Sequence, residues 1–128
     1  MQVTVTTIVF GLPQGQRTSH VEVSLPAPAL SLQELIARKV EQEVLEVQAH
    51  QRMGLSGEYL TAEALILATG SCMPGAIEDE IQRAQQAFAA RDFMIVIDDR
   101  QVWEADTVVN IEPETQVEFI KILPLVGG

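Results

Sequence analysis

Two strands followed at once by a strongly capped helix are the feature that most constrains the fold of this chain. Apolar and polar residues alternate over residues 2–10 and again over residues 20–25, with turn-forming residues 11–16 between them. A period of two predicts β-strands, and the short turn predicts that they pair as an antiparallel hairpin. Within the first strand the alternation slips at Thr6-Thr7, which predicts a β-bulge there.

A helix with a complete set of start signals comes next. Ser31 is predicted to be the N-cap residue, and Glu34, three residues later, completes a capping box. Leu30 and Leu35 occupy the two positions of a hydrophobic staple around this cap. Further apolar residues recur at helical spacing: Leu32, Ile36, Val40, Val44 and Val47. The pattern predicts one amphipathic helix over about residues 31–50.

The middle of the chain, residues 51–91, is predicted to be a helical insert. A loop at residues 53–57 leads to a short helix capped by Thr61, and a longer helix covers residues 76–91. The longer helix carries apolar residues on one side: Ile77, Ile81, Ala84 and Phe88. Acidic residues crowd its first turn, where the helix dipole favours them.

Three strands are predicted after the insert. Residues 93–97 are continuously apolar, as expected for a central strand. Residues 98–100 turn the chain into a short return strand that starts at Gln101, and the last strand covers residues 116–123. The order is therefore ββα, an insert, then βββ. This order places the chain in the α+β class, as one domain of 128 residues.

Composition excludes several classes of function. The net charge is −10, from 18 acidic and 8 basic residues, whereas phosphate binding needs clustered lysine and arginine. Nucleic acid is therefore not an expected partner. The acidity favours a partner with a basic protein surface, and the alternative is that it serves solubility alone. No apolar run reaches the roughly 18 residues of a membrane span. The N-terminus has no basic segment or cleavage site of a secretory signal, so we expect a cytoplasmic protein that binds no membrane.

No set of side chains in the sequence predicts an enzyme. Cys72 is the only cysteine, and no lysine, arginine or histidine stands near it in sequence to make it a reactive thiolate. His20 and His50 are far apart and lack the spacing of metal ligands. We find no nucleophile–base pair and no paired acidic site, so we expect neither catalysis nor a bound metal or cofactor.

The C-terminus combines a predicted strand with a tail, residues 124–128, that ends in two glycines. The strand should end near Pro124, which has no N–H for a ladder hydrogen bond. Beyond it, about four residues at roughly 3.3 Å each could project about 13 Å. Glycine has no Cβ, so another protein and a nucleotide can approach the carboxylate of Gly128 closely. The ending thus favours a protruding carboxylate that ATP activates to an acyl adenylate.

In this element order and this ending, the chain resembles the β-grasp proteins, which include ubiquitin and the sulfur carriers MoaD and ThiS. The segments that carry the resemblance are Met1-Gln2-Val3, Gln101-Val102, Asn110-Ile111 and the tail from Ile122 to Gly128. It covers about residues 1–50 and 92–128, and the insert at residues 51–91 departs from it. The resemblance implies a ubiquitin-like mixed sheet packed on one long helix.

The resemblance also implies a chemistry for the tail. An activating enzyme of the ThiF, MoeB or ubiquitin-activating type would use ATP to join the carboxylate of Gly128 to AMP. A cysteine would then attack to give a thioester, or a sulfur donor would attack to give a thiocarboxylate. The tail residues expected to bind this enzyme in an apolar channel are Leu123, Pro124, Leu125, Val126 and Gly127. A conjugating enzyme, a deconjugating protease and a protein target are the further partners implied for a modifier.

Two covalent functions stay open at this point. The size of the chain and its insert favour a protein modifier joined to its target by an isopeptide bond, since extra surface recruits partners. The composition of the tail leans toward a sulfur carrier instead. Lys39 and Lys121 are the only lysines, which favours single attachment to a target over lysine-linked polymers.

A non-covalent adaptor is the third alternative, because both faces of the predicted sheet carry apolar residues. Phe93, Ile95 and Ile97 are assigned to the side that packs on the helix. The opposite side, together with Trp103, gives a candidate partner patch: Met94, Val96, Trp103, Ile120 and Ile122. Either the insert covers this side or the side binds a protein. Trp103 itself is predicted to be a core residue, with an interface anchor as the alternative.

Overall fold

The computed structural model describes residues 1–12, 15–52 and 77–122, with the side chains of Leu12 and of residues 47–52 excepted. Their mixed sheet and two helices confirm the predicted α+β class. The elements in chain order are β1 (Gln2–Leu12), β2 (Gly15–Ser24), β3 (Ala29–Ser31), α1 (Leu32–Arg52), α2 (Ile77–Ala89), β4 (Met94–Ile97), β5 (Arg100–Val102), β6 (Val108–Asn110) and β7 (Val117–Ile122).

Five of these strands form one sheet in the order β2-β1-β7-β4-β5. β1 pairs antiparallel with β2 and parallel with β7, so the first and last described strands lie side by side. β4 pairs antiparallel with both β7 and β5. A parallel pair needs a long crossover connection, and here the connection includes α1, whose apolar side joins one face of the sheet in the core.

The predicted bulge at Thr6-Thr7 is wrong. β1 and β2 keep an unbroken register from Gln2 to Val9, and the register shifts only beyond Val9. Val5, Thr7 and Val9 are consequently all buried on the same face. The Thr7 hydroxyl has no hydrogen-bond partner among the described residues. Because the β1–β2 ladder is continuous here, Thr7 faces the core, although the sequence pattern indicated that the inward-facing positions shift at Thr6-Thr7.

α1 begins and packs as its sequence predicts. The amide of Glu34 donates to the Ser31 hydroxyl at 3.1 Å, which is the N-cap hydrogen bond of a capping box. Leu30 and Leu35 are both buried beside this cap. The helix ends at Arg52, slightly beyond its predicted end. Its other buried apolar residues are Leu32, Ile36, Ala37, Val40 and Val44.

Two short strands, β3 and β6, are absent from the sequence-based prediction and hold the start of α1. They pair antiparallel with each other. In the loop before β6, the Thr107 carbonyl accepts from the amide of Leu32 at 3.0 Å. The Ala105 carbonyl accepts from the amide of Gln33 at 2.9 Å. First-turn amides have no partner inside their own helix, so these bonds anchor α1 to the loop. Strands of three residues are too short for their periodicity to predict them.

α2 and the β4–β5 hairpin form close to where the sequence predicts them. α2 packs against α1, and Phe88 on its buried side lies 5.6 Å from Phe93 between ring centroids. Phe93 in turn stacks on Phe119 at the same distance. The hairpin turns at Asp98 and Asp99, whose φ angles of 48° and 66° are those that a type I′ turn requires.

Some predictions fall on residues outside those that the structure describes. These are the loop at residues 53–57, the short helix that begins at Thr61, and Cys72. Of the predicted insert, the described parts are the end of α1 and α2. Within the described segments, no helix is both long enough and apolar enough to cross a lipid bilayer.

Candidate functional site

The predicted attachment site and tail lie outside the described residues. β7 ends at Ile122, where the described part of the chain stops. The tail residues beyond it are Leu123, Pro124, Leu125, Val126, Gly127 and Gly128. The candidate site that the structure describes is the predicted partner patch, which includes the end of the same strand.

The patch lies on the sheet face opposite α1, which we call the second face and define by Ile8, Ile120 and Met94. Ile120 on β7 is paired with both Ile8 on β1 and Met94 on β4. The three side chains therefore form a row across three strands. At the end of β7, Phe10 is paired with Ile122, and both are exposed. Apolar residues thus occupy this face as well as the face against α1.

The other end of the second face is polar. The Thr6 hydroxyl and His20 Nδ1 share a hydrogen bond of 3.0 Å across the β1–β2 pair. Val96 is paired with Glu118 on one side and Gln101 on the other, so it marks the boundary between the two ends. The apolar end of the face is therefore the end at which β7 leads into the tail.

A cavity of about 180 Å³, which we call the α2 cleft, opens at this apolar end. Four of the five predicted patch residues line it: Met94, Trp103, Ile120 and Ile122. The remaining described walls are Phe88, Arg91 and Asp92 at the end of α2, followed by Phe93, Gln101 and Val102. Small-molecule sites usually occupy roughly 300–1,000 Å³. The α2 cleft therefore suits an inserted side chain better than a cofactor.

The turn that follows α2 places Arg91 against Trp103. The amide of Arg91 donates to the Phe88 carbonyl at 3.0 Å. The amide of Asp92 donates to the Ala87 carbonyl at 2.9 Å, which completes a Schellman motif. Arg91 occupies the left-handed position of this motif, with φ 63°, which glycine usually fills. Its guanidinium carbon lies 4.7 Å from the centre of the Trp103 ring, a cation–π contact.

Trp103 is not a core residue, and the prediction that placed it in the core is wrong. It is 53% exposed. Val102 is paired with Ile95, so Trp103, the next residue, lies beside Met94 at the edge of the sheet. Trp103 therefore extends the row formed by Ile120 and Met94. Tryptophan is one of the residue types enriched at the energetic centres of protein interfaces. The alternative role, an interface anchor, fits this position.

The core contains a buried ion pair that the sequence analysis does not predict. Lys39 and Glu43 lie one turn apart on the core side of α1, with 2.6 Å between Nζ and Oε1. Lys39 Nζ also lies 4.8 Å from the centre of the Phe119 ring. Because burial removes hydration, it raises the pKa of Glu43 from 4.5 to about 7 and lowers the pKa of Lys39. The second Glu43 oxygen has no hydrogen-bond partner among the described residues.

Lys39 is expected to resist acylation, because its amine is fully buried and ion-paired. Lys121, the other lysine, is only half-buried. With a water-soluble acetylating ester, native Lys121 should react at least about a hundredfold faster than Lys39, which reacts only when the fold opens. Peptide mass spectrometry measures both sites. In concentrated urea the two should react equally, and equal rates in the native protein would contradict the buried position of Lys39.

The described residues contain no group of three or more histidine, cysteine, aspartate or glutamate side chains arranged to hold a metal ion. No protein-family model, no curated protein and no solved structure matches the chain. A function for the chain therefore has to be argued from its own residues and geometry.

Sequence reasoning found the strand residues of the α2 cleft and missed Arg91. The available signal was the end of the helical pattern just before the apolar strand, which predicts a C-cap near Arg91. The pattern has no glycine to mark the cap, so the residue was assigned to the helix. Lys39 and Glu43 had a clearer signal, since both fall on the apolar stripe that includes Ile36 and Val40.

Proposed function

We propose that this chain is a ubiquitin-like protein modifier of the β-grasp type, whose Gly128 is attached to a protein target. The observation that carries the proposal is the strand order β2-β1-β7-β4-β5 with its parallel β1–β7 pair. This order, with one long helix packed on the sheet, is compatible with a β-grasp fold. The last strand of the sheet is also the strand whose sequence continues into Gly127-Gly128.

The proposed reaction starts at the carboxylate of Gly128. On an activating enzyme of the ThiF, MoeB or ubiquitin-activating type, this carboxylate attacks the α-phosphorus of ATP, which gives an acyl adenylate and releases pyrophosphate. A cysteine thiolate then displaces AMP and forms a thioester. A target amine displaces the thiolate, loses a proton and forms the amide bond. In this proposal ATP belongs to the activating enzyme, and the chain contributes only its carboxylate and its binding surfaces.

The position of the α2 cleft supports a shared binding surface for the tail and the sheet. Six residues separate Ile122 from the terminal carboxylate, and Ile122 lines the cleft. Six residues at roughly 3.3 Å each span at most about 20 Å. An enzyme that holds Gly128 therefore stands within about 20 Å of the apolar end of the second face. We expect the activating enzyme to contact both the tail and the apolar end of the second face.

The test is ATP-dependent activation of the full chain by candidate activating enzymes, measured as pyrophosphate exchange and as transfer of the chain's mass to a target. One alanine added after Gly128 should lower exchange by about a hundredfold or more, because the carboxylate is displaced from the reacting phosphate. The matched control is Val108→Ala, a change at an exposed residue of β6 that should leave exchange unchanged. Undiminished exchange by the extended chain would contradict the proposal.

The same experiment separates the modifier from a sulfur carrier. A thiocarboxylate replaces one oxygen of the chain by sulfur, and mass spectrometry of the chain itself detects that change. Transfer to a target supports the modifier, whereas the sulfur product without transfer supports the carrier.

A non-covalent adaptor is the second candidate function, and the exposed ring of Trp103 at the α2 cleft is the observation that favours it. An adaptor would bind its partner through the α2 cleft and would not need Gly127 or Gly128. It would keep full partner binding when an alanine is added after Gly128, and it would show no pyrophosphate exchange.

A further inference from the structure

We infer that the α2 cleft binds an acidic peptide segment of a protein partner, with a bulky apolar side chain in the cleft and a carboxylate on Arg91. The cleft would then be a local exception to the basic partner surface that the net charge of −10 favours. The inference extends the proposed function by naming the chemistry of a partner. It depends on the cleft alone and does not require activation of Gly128.

The backbone of Arg91 is the first reason. A residue with a Cβ is less favourable than glycine at the left-handed position of a Schellman motif, and Arg91 holds that position with φ 63°. Glycine would complete the same turn without this cost. Because Arg91 makes the turn less stable than glycine would, its side chain is expected to have a role of its own. Arg91 lines the α2 cleft.

The guanidinium of Arg91 is the second reason. Its carbon lies 4.7 Å from the centre of the Trp103 ring, so the cation is held at the exposed aromatic wall of the cleft. The guanidiniums of Arg38 and Arg83 have carboxylate partners, Glu34 and Glu80. None of the ion pairs found among the described residues includes Arg91, although Asp92 and Glu104 line the same stretch of surface. A guanidinium presents planar N–H donors that can bind a carboxylate in two parallel hydrogen bonds.

The apolar walls of the cleft are the third reason. Phe88, Met94 and Ile120 form a concave surface beside the exposed Trp103 ring. A cavity of about 180 Å³ is below the usual range for small-molecule sites and suits one inserted side chain. A bulky apolar side chain buried beside an aromatic anchor is the usual centre of a protein interface. The partner is therefore expected to present such a side chain next to its carboxylate.

Asp92 is an acidic residue beside the proposed carboxylate site. It also lines the cleft, and its charge repels a carboxylate. Glu104, which lines the adjoining groove with Arg91 and Trp103, opposes a carboxylate in the same way. Neutralising Asp92 should strengthen binding of an acidic peptide, which separates this inference from binding through apolar contact alone.

The test begins with selection of a random dodecapeptide display library on the full chain, without ATP or activating enzyme. Enriched peptides should share a bulky apolar residue close to an aspartate or glutamate. The best peptide, made with a fluorescent label, is then titrated by anisotropy against variants of the full chain. Arg91→Gly should weaken binding about tenfold to a hundredfold, the loss of a charge-assisted pair. This variant keeps the turn, because glycine favours the left-handed conformation.

Two further variants complete the test. Arg100→Gln removes an exposed arginine outside the cleft and should leave the affinity unchanged. Asp92→Asn should tighten binding. Failure to enrich any peptide, enrichment of peptides without an acidic residue, or equal affinity for the Arg91→Gly variant would each overturn the inference. None of these results bears on pyrophosphate exchange, so the inference and the proposed modification of Gly128 fail or stand separately.

Discussion

Replacing Lys39 by methionine is expected to lower the free energy of unfolding by about 3–5 kcal/mol at about pH 8. Methionine keeps much of the side-chain volume but removes the cation, so Glu43 loses its compensating charge and must take up a proton to stay buried. Urea denaturation measures the change. The matched control is Arg38→Met on the same helix, whose ion pair with Glu34 is partly exposed and should be worth less than about 1 kcal/mol.

The destabilisation of the Lys39→Met variant should grow with pH. The Lys39 cation lowers the pKa of Glu43, so its removal takes that pKa further above the 4.5 of an unperturbed glutamate. The folded state then keeps a proton that the unfolded chain has lost. The contribution of Glu43 to stability is consequently greatest below about pH 4.5, and it falls by about 1.4 kcal/mol per pH unit until the pH passes the folded pKa.

A double variant tests the cause of this loss. Lys39→Met combined with Glu43→Leu replaces both charges by apolar groups, and we expect it to recover the wild-type free energy of unfolding or exceed it. It should also lose the pH dependence that Glu43 produces. A double variant that is no more stable than Lys39→Met would show that packing, and not an uncompensated charge, caused the loss.

Replacing Phe119 by alanine is expected to cost about 3–5 kcal/mol of unfolding free energy. Phe119 is 1% exposed, stacks on Phe93 at 5.6 Å between centroids, and lies beneath the Lys39 amine. Its removal leaves a cavity between α1 and the sheet. It also removes the ring that stabilises the buried cation of Lys39. Thermal and urea denaturation both report the change.

A neighbour on the same strand supplies the matched control for Phe119. Ile122 points to the second face and is 58% exposed, so Ile122→Ala should change the unfolding free energy by no more than about 0.5 kcal/mol. Similar losses for the two variants would contradict the assignment of Phe119 to the core and Ile122 to the surface. The unfolding free energy lost in Phe119→Leu should lie between the losses of the two alanine variants.

Elements with strong local signals were predictable from the sequence. Ser31 and Glu34 mark the start of α1 because a cap forms between residues three positions apart. Phe93, Ile95 and Ile97 share one face because side chains alternate along a strand, and all three are buried. In each case the physical cause lies within a few residues of chain. Such causes can be read before the fold is known.

Residues whose environment is set by distant segments were not predictable in this way. Thr7 is buried because β1 keeps its register with β2 and β7, although nothing next to Thr7 in sequence requires it. Trp103 is exposed because β5 lies at the edge of the sheet. Arg91 meets Trp103 because the end of α2 packs beside β5 across twelve residues of sequence.

The sequence by itself determined the hairpin, the start of α1 and the apolar stripes of the helices, because periodicity and capping act between near neighbours. The tertiary structure alone decided the strand order, the burial of Lys39 with Glu43, and the meeting of α2 with the end of the sheet that creates the cleft. Burial and pairing are properties of contacts between segments far apart in the chain. A local sequence pattern therefore does not predict them.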